Sequence, residues 1–160
     1  MRLFAVPTAL SFAGKKTAAA PSKRTIQCEV GRVQSGLSQD LLNKEWQAKN
    51  IASGNPLVGH CYVAAEALFH RLGGKKAGWQ SYVLNHKVWP EGLAEGETHW
   101  FLKHQSGRIA DPTELQFDGQ PIAYDRGVAC GFLTQKPSKR AQTVLSRIIE
   151  KLKRFANPDF

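Results

Sequence analysis

The chain has 160 residues and a formal net charge of +9, a length that suits one domain with its own core. No run approaches the roughly 20 apolar residues of a membrane-spanning helix, so we expect no membrane partner. The three cysteines, Cys28, Cys61 and Cys130, are widely spaced, which indicates neither a disulfide framework nor a cysteine-rich zinc site. A reducing, cytoplasmic location is the expectation.

The positive charge lies at the two ends of the chain. Residues 1–28 and residues 131–160 each carry a net charge of +5, which leaves −1 for residues 29–130. Clustered Lys and Arg side chains can neutralise phosphates, so weak contact with nucleic acid through these ends is one hypothesis. The ordinary alternative is a solvated tail and a solvated helix face. No interleaved aromatics or nucleic-acid motif favour the first hypothesis over the second.

The N-terminal segment differs in composition from the rest of the chain. Residues 1–23 are rich in Ala, Ser, Thr, Pro and Lys, and Pro7 interrupts their one apolar patch. This interruption argues against a cleavable leader. We therefore predict that residues 1–28 form a basic, flexible segment and that residues 29–160 form a single α+β domain.

Two helices are predicted in the first half of the domain. Ser38 is suited to cap a short helix, and residues 50–56 indicate a loop. A second helix runs from about residue 60 to residue 72 and ends at Gly73, because glycine readily adopts the left-handed conformation of a helix end. This arrangement places Cys61 in the first helical turn, facing inward.

The strands follow the second helix. Residues 81–89 have strand character, and residues 98–103 and 108–112 predict a β-hairpin. A turn midway between the two arms would place His99 and Asp111 nearly opposite each other. Side chains opposed in this way lie about 5 Å apart at Cβ, which allows a hydrogen bond between imidazole and carboxylate.

The last third of the chain combines an irregular segment with an amphipathic helix. Residues 117–134 are interrupted by glycine and proline, which predicts irregular structure. A final helix opens at Pro137-Ser138. Its apolar positions form one stripe, as expected of an outer helix that packs on the domain; they are Ala141, Val144, Leu145, Ile148, Ile149 and Leu152.

Cys61, His99 and Asp111 together indicate a nucleophilic site. A cysteine attacks a carbonyl as its thiolate, which a helix N-terminus and a neighbouring imidazolium both favour. The imidazole acts as a base only when a third group fixes its tautomer, and this is the role predicted for Asp111. Each residue also has an ordinary interpretation: a core cysteine, a hydrogen-bonded strand histidine and a turn-forming aspartate.

Two segments resemble the transglutaminase-like proteins of the wider papain-like superfamily. THWFLKHQSGRIADPT is similar to the strands that carry the His and Asp of that superfamily, and GHCYVAAEALFHRLGG is similar to its cysteine-bearing helix. The resemblance covers roughly residues 57–115. It implies an α+β fold in which the cysteine helix packs on a small antiparallel sheet, with a catalytic triad of Cys61, His99 and Asp111.

This resemblance implies a cysteine-dependent hydrolase or acyltransferase that attacks an amide or a thioester through an acyl-enzyme. Its substrate would be a peptide, a protein or a small amide, and no cofactor or metal is expected. We place His60, Tyr62 and Trp100 on the substrate side. Gln47 and Asn55 are candidates for an oxyanion-stabilising side chain.

Three alternatives stay open at this point. Cys130 is a rival nucleophile in a glycine-rich segment, although it lacks a helix start. Metal binding by Cys61 with two histidines lacks the ligand spacing typical of zinc sites. A non-catalytic binding or structural protein of the same fold, with its basic ends on nucleic acid or a larger assembly, is the main alternative function.

Overall fold

A computed structural model describes residues 19–157 of the chain. The predictions made for residues 1–18 lie outside the described residues. The helices are α1 (Lys23–Gly36), α2 (Lys44–Ser53), α3 (Cys61–Arg71) and α4 (Lys139–Ala156). Helix α1 begins after Ser22, whose hydroxyl accepts a hydrogen bond from the amide of Thr25 at 3.1 Å. The predicted flexible segment is therefore corrected at residues 23–28, which are helical.

One antiparallel sheet lies beside the helices. Its strands are β1 (Trp79–Asn85), β2 (Thr98–His104), β3 (Ile109–Ala110) and β4 (Val128–Ala129), in the order β3-β2-β1-β4. The predicted α+β class is confirmed.

Three strand predictions need correction. The second arm of the hairpin, predicted at residues 108–112, is a strand only at Ile109–Ala110. The first strand ends at Asn85, where the side-chain oxygen accepts the amide of Lys87 at 3.0 Å and turns the chain. Residues 86–89 are therefore not part of the strand. The short strand β4 lies within the segment predicted to be irregular, and it pairs with β1 through Tyr82 and Val83.

The region around Ser38 also differs from its prediction. Ser38 precedes a single 3-10 turn, Gln39–Leu41, and makes no side-chain cap. Helix α2 starts separately at Lys44, where the side chain of Asn43 accepts the amide of Trp46 at 2.9 Å. Because α2 continues to Ser53, the predicted loop begins only at Gly54.

Helix α3 lies at the centre of the domain. It packs against α1 and α4 on its outer sides and against β1 and β2 of the sheet. Its buried face consists mainly of small side chains, which allow close approach of the neighbouring elements; these are Val63, Ala64, Ala65 and Ala67, together with Leu68. As predicted, the helix ends before Gly73, which is left-handed with φ 89°.

Helix α4 is anchored to α3 by a buried carboxylate. Glu66 is 0% exposed and accepts hydrogen bonds from the amide of Ser138 at 2.8 Å and from its hydroxyl at 2.6 Å. Ser138 in turn caps α4 by accepting the amide of Ala141. The predicted start of the last helix is confirmed, and its N-terminal turn is fixed relative to α3.

The apolar stripe of α4 is only partly buried. Ala141, Val144 and Ile148 are in the core, whereas Ile149 and Leu152 are exposed. Among the described residues, no helix is both long enough and apolar enough to cross a membrane.

Gly59 sets the direction in which the chain enters α3. Its φ is 87°, a left-handed value that a residue with a side chain adopts at a cost. A Cβ atom at this position would also lie 3.0 Å from Cε3 of Trp46 and 3.3 Å from Cδ2 of Leu42. Glycine is therefore needed here for both its conformation and its small size.

The substitution Gly59→Ala should lower the free energy of unfolding by about 2 kcal/mol, because it combines backbone strain with a close contact. Gly54→Ala is the matched control, since Gly54 has φ 65° but faces open space. The control should cost about 1 kcal/mol from strain alone. Urea denaturation of the two variants measures the difference, and equal losses would contradict the role assigned to the contact.

Candidate active site

Cys61 is the first residue of α3 and lines a cleft of about 520 Å³. Its thiol donates to the backbone carbonyl of Thr98 at 3.5 Å, which ties the start of α3 to the start of β2. Several side chains of the cleft are aromatic or polar, and they include Asn43, Trp46, Tyr62, Gln116, Phe117 and Arg140. Cys61 is thus accessible from a cleft that offers both apolar surface and hydrogen-bonding groups.

His99 lies at the beginning of β2 and is completely buried. Its Nε2 is 2.6 Å from Oδ2 of Asp111. The strand register pairs Leu102 with Ala110, so Asp111 lies diagonally from His99. His99 and Asp111 are therefore displaced by two residues from the nearly opposite positions predicted for them. The side-chain contact still forms, because a shift of two residues keeps a side chain on the same face.

Four donors hold the carboxylate of Asp111, and the most distant is the hydroxyl of Thr113, which lies 3.5 Å from Oδ1. Oδ2 accepts the hydroxyl of Tyr124 at 2.9 Å as well as His99, and Oδ1 accepts the amide of Thr113 at 2.9 Å. A carboxylate with its oxygens occupied in this way has one orientation. Asp111 therefore fixes both the rotation of the imidazole and the tautomer in which Nε2 carries a proton.

The second ring nitrogen of His99 faces Gln116, whose Nε2 lies 3.1 Å from Nδ1. The Gln116 amide also donates to the hydroxyl of Thr113 at 3.1 Å. In this orientation Nδ1 accepts a hydrogen bond from the amide, which matches a neutral ring protonated on Nε2. A half-turn of the amide would present its oxygen to a protonated Nδ1, so Gln116 suits both states of the ring.

The pKa of His99 is raised to about 9. Burial favours the neutral ring, but the hydrogen bond to Asp111 and the interaction with Cys61 outweigh it, supported by the charges of both partners. Cys61 and Asp111 therefore both favour the protonated form of the same imidazole. A ring with this pKa stays protonated at neutral pH, and this favours a negative charge beside it.

The three residues placed on the substrate side have different positions. His60 is 1% exposed, and its Nε2 lies 3.0 Å from the carbonyl of Ser38, so the expectation that it contacts substrate is corrected. Tyr62 does line the cleft, and its hydroxyl accepts the amide of Leu133 at 3.0 Å. Trp100 packs edge-to-face with Tyr62, with ring centroids 4.9 Å apart, and supports it.

The two side chains considered for oxyanion stabilisation are used elsewhere. Gln47 donates to the carbonyls of Gln39 and Leu42, and Asn55 donates to the carbonyl of Leu115 at 2.9 Å. Both predictions are therefore corrected, since these amides brace neighbouring turns. The N-cap residue of α3 makes no side-chain hydrogen bond to the first-turn amides beside Cys61.

Cys130 lies outside this cleft. Its amide donates to the carbonyl of Ser81 at 3.0 Å as the chain runs beside β1, and its thiol contacts the carbonyl of Gly131. The residues that the structure describes contain no group of three His, Cys, Asp or Glu side chains placed to hold a metal ion.

Gln116 and Tyr124 are the site residues that sequence reasoning missed. Both lie in 3-10 turns, Glu114–Phe117 and Tyr124–Arg126, within the irregular stretch that follows the hairpin. The position of Gln116 three residues after Thr113 is a weak signal, since it places both side chains on one face of such a turn. Tyr124 has no local signal.

Comparison with protein-family models, with curated proteins and with solved structures finds no match to this chain.

The raised pKa of His99 should make folding stability depend on pH. A protonated His99 is stabilised in the folded state, so this contribution is complete below pH 6.5 and is lost as pH rises to about 9. The free energy of unfolding should fall by about 3 kcal/mol across this window. Urea titrations of the wild type and of His99→Gln measure it. A slope that survives in His99→Gln would assign the effect to another group.

Replacing Tyr124 with Phe removes one donor to Asp111 and should lower the free energy of unfolding by about 2 kcal/mol. Tyr82→Phe is the matched control, because Tyr82 lies in the same apolar cluster and its hydroxyl has no hydrogen bond among residues 19–157. The control should change stability by less than about 0.5 kcal/mol. Chemical denaturation compares the two, and equal effects would show that the Tyr124 hydroxyl contributes nothing specific.

Proposed function

We propose that this protein is a cysteine-dependent hydrolase or acyltransferase with a papain-like or transglutaminase-like arrangement. One observation carries the proposal: the buried imidazole of His99 hydrogen-bonds Asp111 at 2.6 Å, and both Asp111 and Cys61 raise its pKa. Thiol acyl transfer needs a nucleophile, a base and a carboxylate that orients the base. Cys61, His99 and Asp111 would fill these three roles in that order.

Acylation would begin from the thiolate of Cys61, with the thiol proton already on Nδ1 of His99. The sulfur attacks the carbonyl carbon of an amide or thioester, and a carbon–sulfur bond forms. As the tetrahedral intermediate collapses, the bond from carbon to the leaving group breaks and His99 transfers its proton to that group. The product of this half-reaction is an acyl-Cys61 thioester with a neutral His99.

Deacylation would reverse these roles. His99 removes a proton from water or from an amine, which attacks the thioester carbon. The carbon–sulfur bond breaks, and the enzyme returns to the paired thiolate and imidazolium. Hydrolysis and transfer therefore share every protein group and differ only in the second nucleophile.

The negative charge on the carbonyl oxygen would be stabilised at the N-terminus of α3. The amides of the first turn carry partial positive charge and point along the helix axis toward the cleft.

Peptides, proteins and small amides are all suitable substrates in this scheme. Trp46, Tyr62 and Phe117 supply apolar walls for a side chain or acyl group. The alternative proposal is a non-catalytic binding or structural protein of the same fold. Such a protein would bind nucleic acid or a larger assembly through the basic ends of the chain, and its Cys61 would react no faster than an ordinary thiol.

The proposal is tested by alkylation with iodoacetamide at pH 6, followed by mass spectrometric mapping. Cys61 should react at least about tenfold faster than Cys28, an exposed thiol on α1 that serves as the internal reference, because a thiolate is the reactive form. His99→Gln should abolish this advantage, since it removes the imidazolium.

A second measurement follows the acyl-enzyme. An activated thioester should give a covalent adduct on Cys61 that Cys61→Ala lacks, and His99→Gln should slow its formation by about 10²-fold to 10⁴-fold. The enzyme proposal fails if Cys61 reacts no faster than Cys28 and no adduct forms. Nucleic-acid binding that weakens steeply with salt would then support the non-catalytic alternative.

A further inference from the structure

We infer that the substrate of this site carries a carboxylate and that Arg140 binds it. This inference rests on the proposed function, because it names the substrate class of the Cys61 cleft. It starts from the charged side chains that line the cleft, which are Lys49, Glu97 and Arg140.

Lys49 is already neutralised by carboxylates of the protein. Its Nζ lies 3.1 Å from Glu45 and 3.6 Å from Glu97. It also lies over the ring of Trp46, 4.4 Å from the centroid. Glu45 and Glu97 together offset the charge of Lys49, so this side of the cleft carries no excess positive charge.

Arg140 differs in that no carboxylate of residues 19–157 lies within 4.0 Å of its guanidinium. Its hydrogen bond within this part of the chain runs from Nη1 to the carbonyl of Leu41 at 3.1 Å. A guanidinium has five N–H donors, so the others are available to a ligand. Within residues 19–157, Arg140 is therefore the cation of the cleft lining that has no carboxylate partner.

The position of this charge is fixed relative to the nucleophile. Arg140 lies in the first turn of α4, and the bonds from Ser138 to Glu66 join that turn to α3, the helix of Cys61. The bond to Leu41 further restricts the guanidinium. Its field reaches the residue next to Cys61: burial lowers the pKa of His60, and the charge of Arg140 lowers it further, whereas the charge of Asp40 raises it.

A planar, rigid cation of this kind matches a carboxylate, which it can bind through two parallel hydrogen bonds. With Arg140 on one side of the cleft and Trp46 and Phe117 as apolar walls, the fitting substrate has an apolar part and a free carboxylate close to the scissile carbonyl. Acidic peptides and small acyl compounds with a terminal carboxylate share this chemistry.

The test compares two alkylating reagents of similar size that differ in charge. Iodoacetate and iodoacetamide both form a carbon–sulfur bond with Cys61 and release iodide, but only iodoacetate carries a carboxylate. The ratio of their second-order rate constants at Cys61 should fall about tenfold in Arg140→Gln relative to wild type. Arg140→Lys should lose part of the preference, because it keeps the charge and loses the paired donors.

Lys139→Gln is the matched control, since it removes the same charge one residue away, outside the cleft lining. Its ratio should stay within about twofold of wild type. An equal fall in Lys139→Gln and Arg140→Gln would overturn the inference, because it would reflect long-range charge alone. An unchanged ratio in Arg140→Gln would also overturn it. The iodoacetamide rate reports separately on the proposed function, which fails if that rate is ordinary at Cys61.

Protection experiments identify the source of the carboxylate. N-acetylalanine offers a terminal carboxylate, N-acetylglutamic acid α-amide offers a side-chain carboxylate, and N-acetylalanine amide offers none. One or both acids should slow alkylation of Cys61 by iodoacetamide in wild type but not in Arg140→Gln. The acid that protects more strongly identifies the source. Equal protection by the neutral amide would contradict carboxylate recognition.

Discussion

The hydrogen bond between His99 and Asp111 is the constraint on which the site depends. Both side chains are almost fully buried, so neither is hydrated, and each supplies the partner that the other needs. The hydroxyl of Tyr124 and the amide of Thr113 complete the shell of the carboxylate. These hydrogen-bonding partners place several polar groups in an otherwise apolar region. The second ring nitrogen, Nδ1, faces the side-chain amide of Gln116, which lines the cleft.

The fold around this pair follows from strong local signals. The glycines after Leu72 end α3, the turn near Ser106 closes the hairpin, and Ser138 starts α4, so these boundaries could be predicted from the residues themselves. Cys61, His99 and Asp111 lie within or beside these elements. It was therefore predictable that these residues lie near one another. The register between β2 and β3 was not predictable, because a shift of two residues leaves every side chain on the same face of the sheet.

The remaining site residues are set by tertiary packing rather than by local pattern. Gln116 and Tyr124 reach the site from 3-10 turns whose path depends on the apolar cluster of Trp89, Phe101 and Phe117. His60 is turned inward because the 3-10 turn after Ser38 offers it a carbonyl. Glycine-rich and short segments such as these carry no periodicity from which such contacts could be inferred.

The link from Glu66 to Ser138 has a mechanical consequence. Helix α3 carries the Cys61 thiol at its first residue and is joined to the start of α4 less than two turns later, so this thiol and Arg140 lie on helices that are linked to each other. His99 lies on β2, and Asp111 directly follows β3. A small movement of these helices against the sheet would therefore change the distance from the Cys61 sulfur to the His99 ring more than the distance from the sulfur to Arg140.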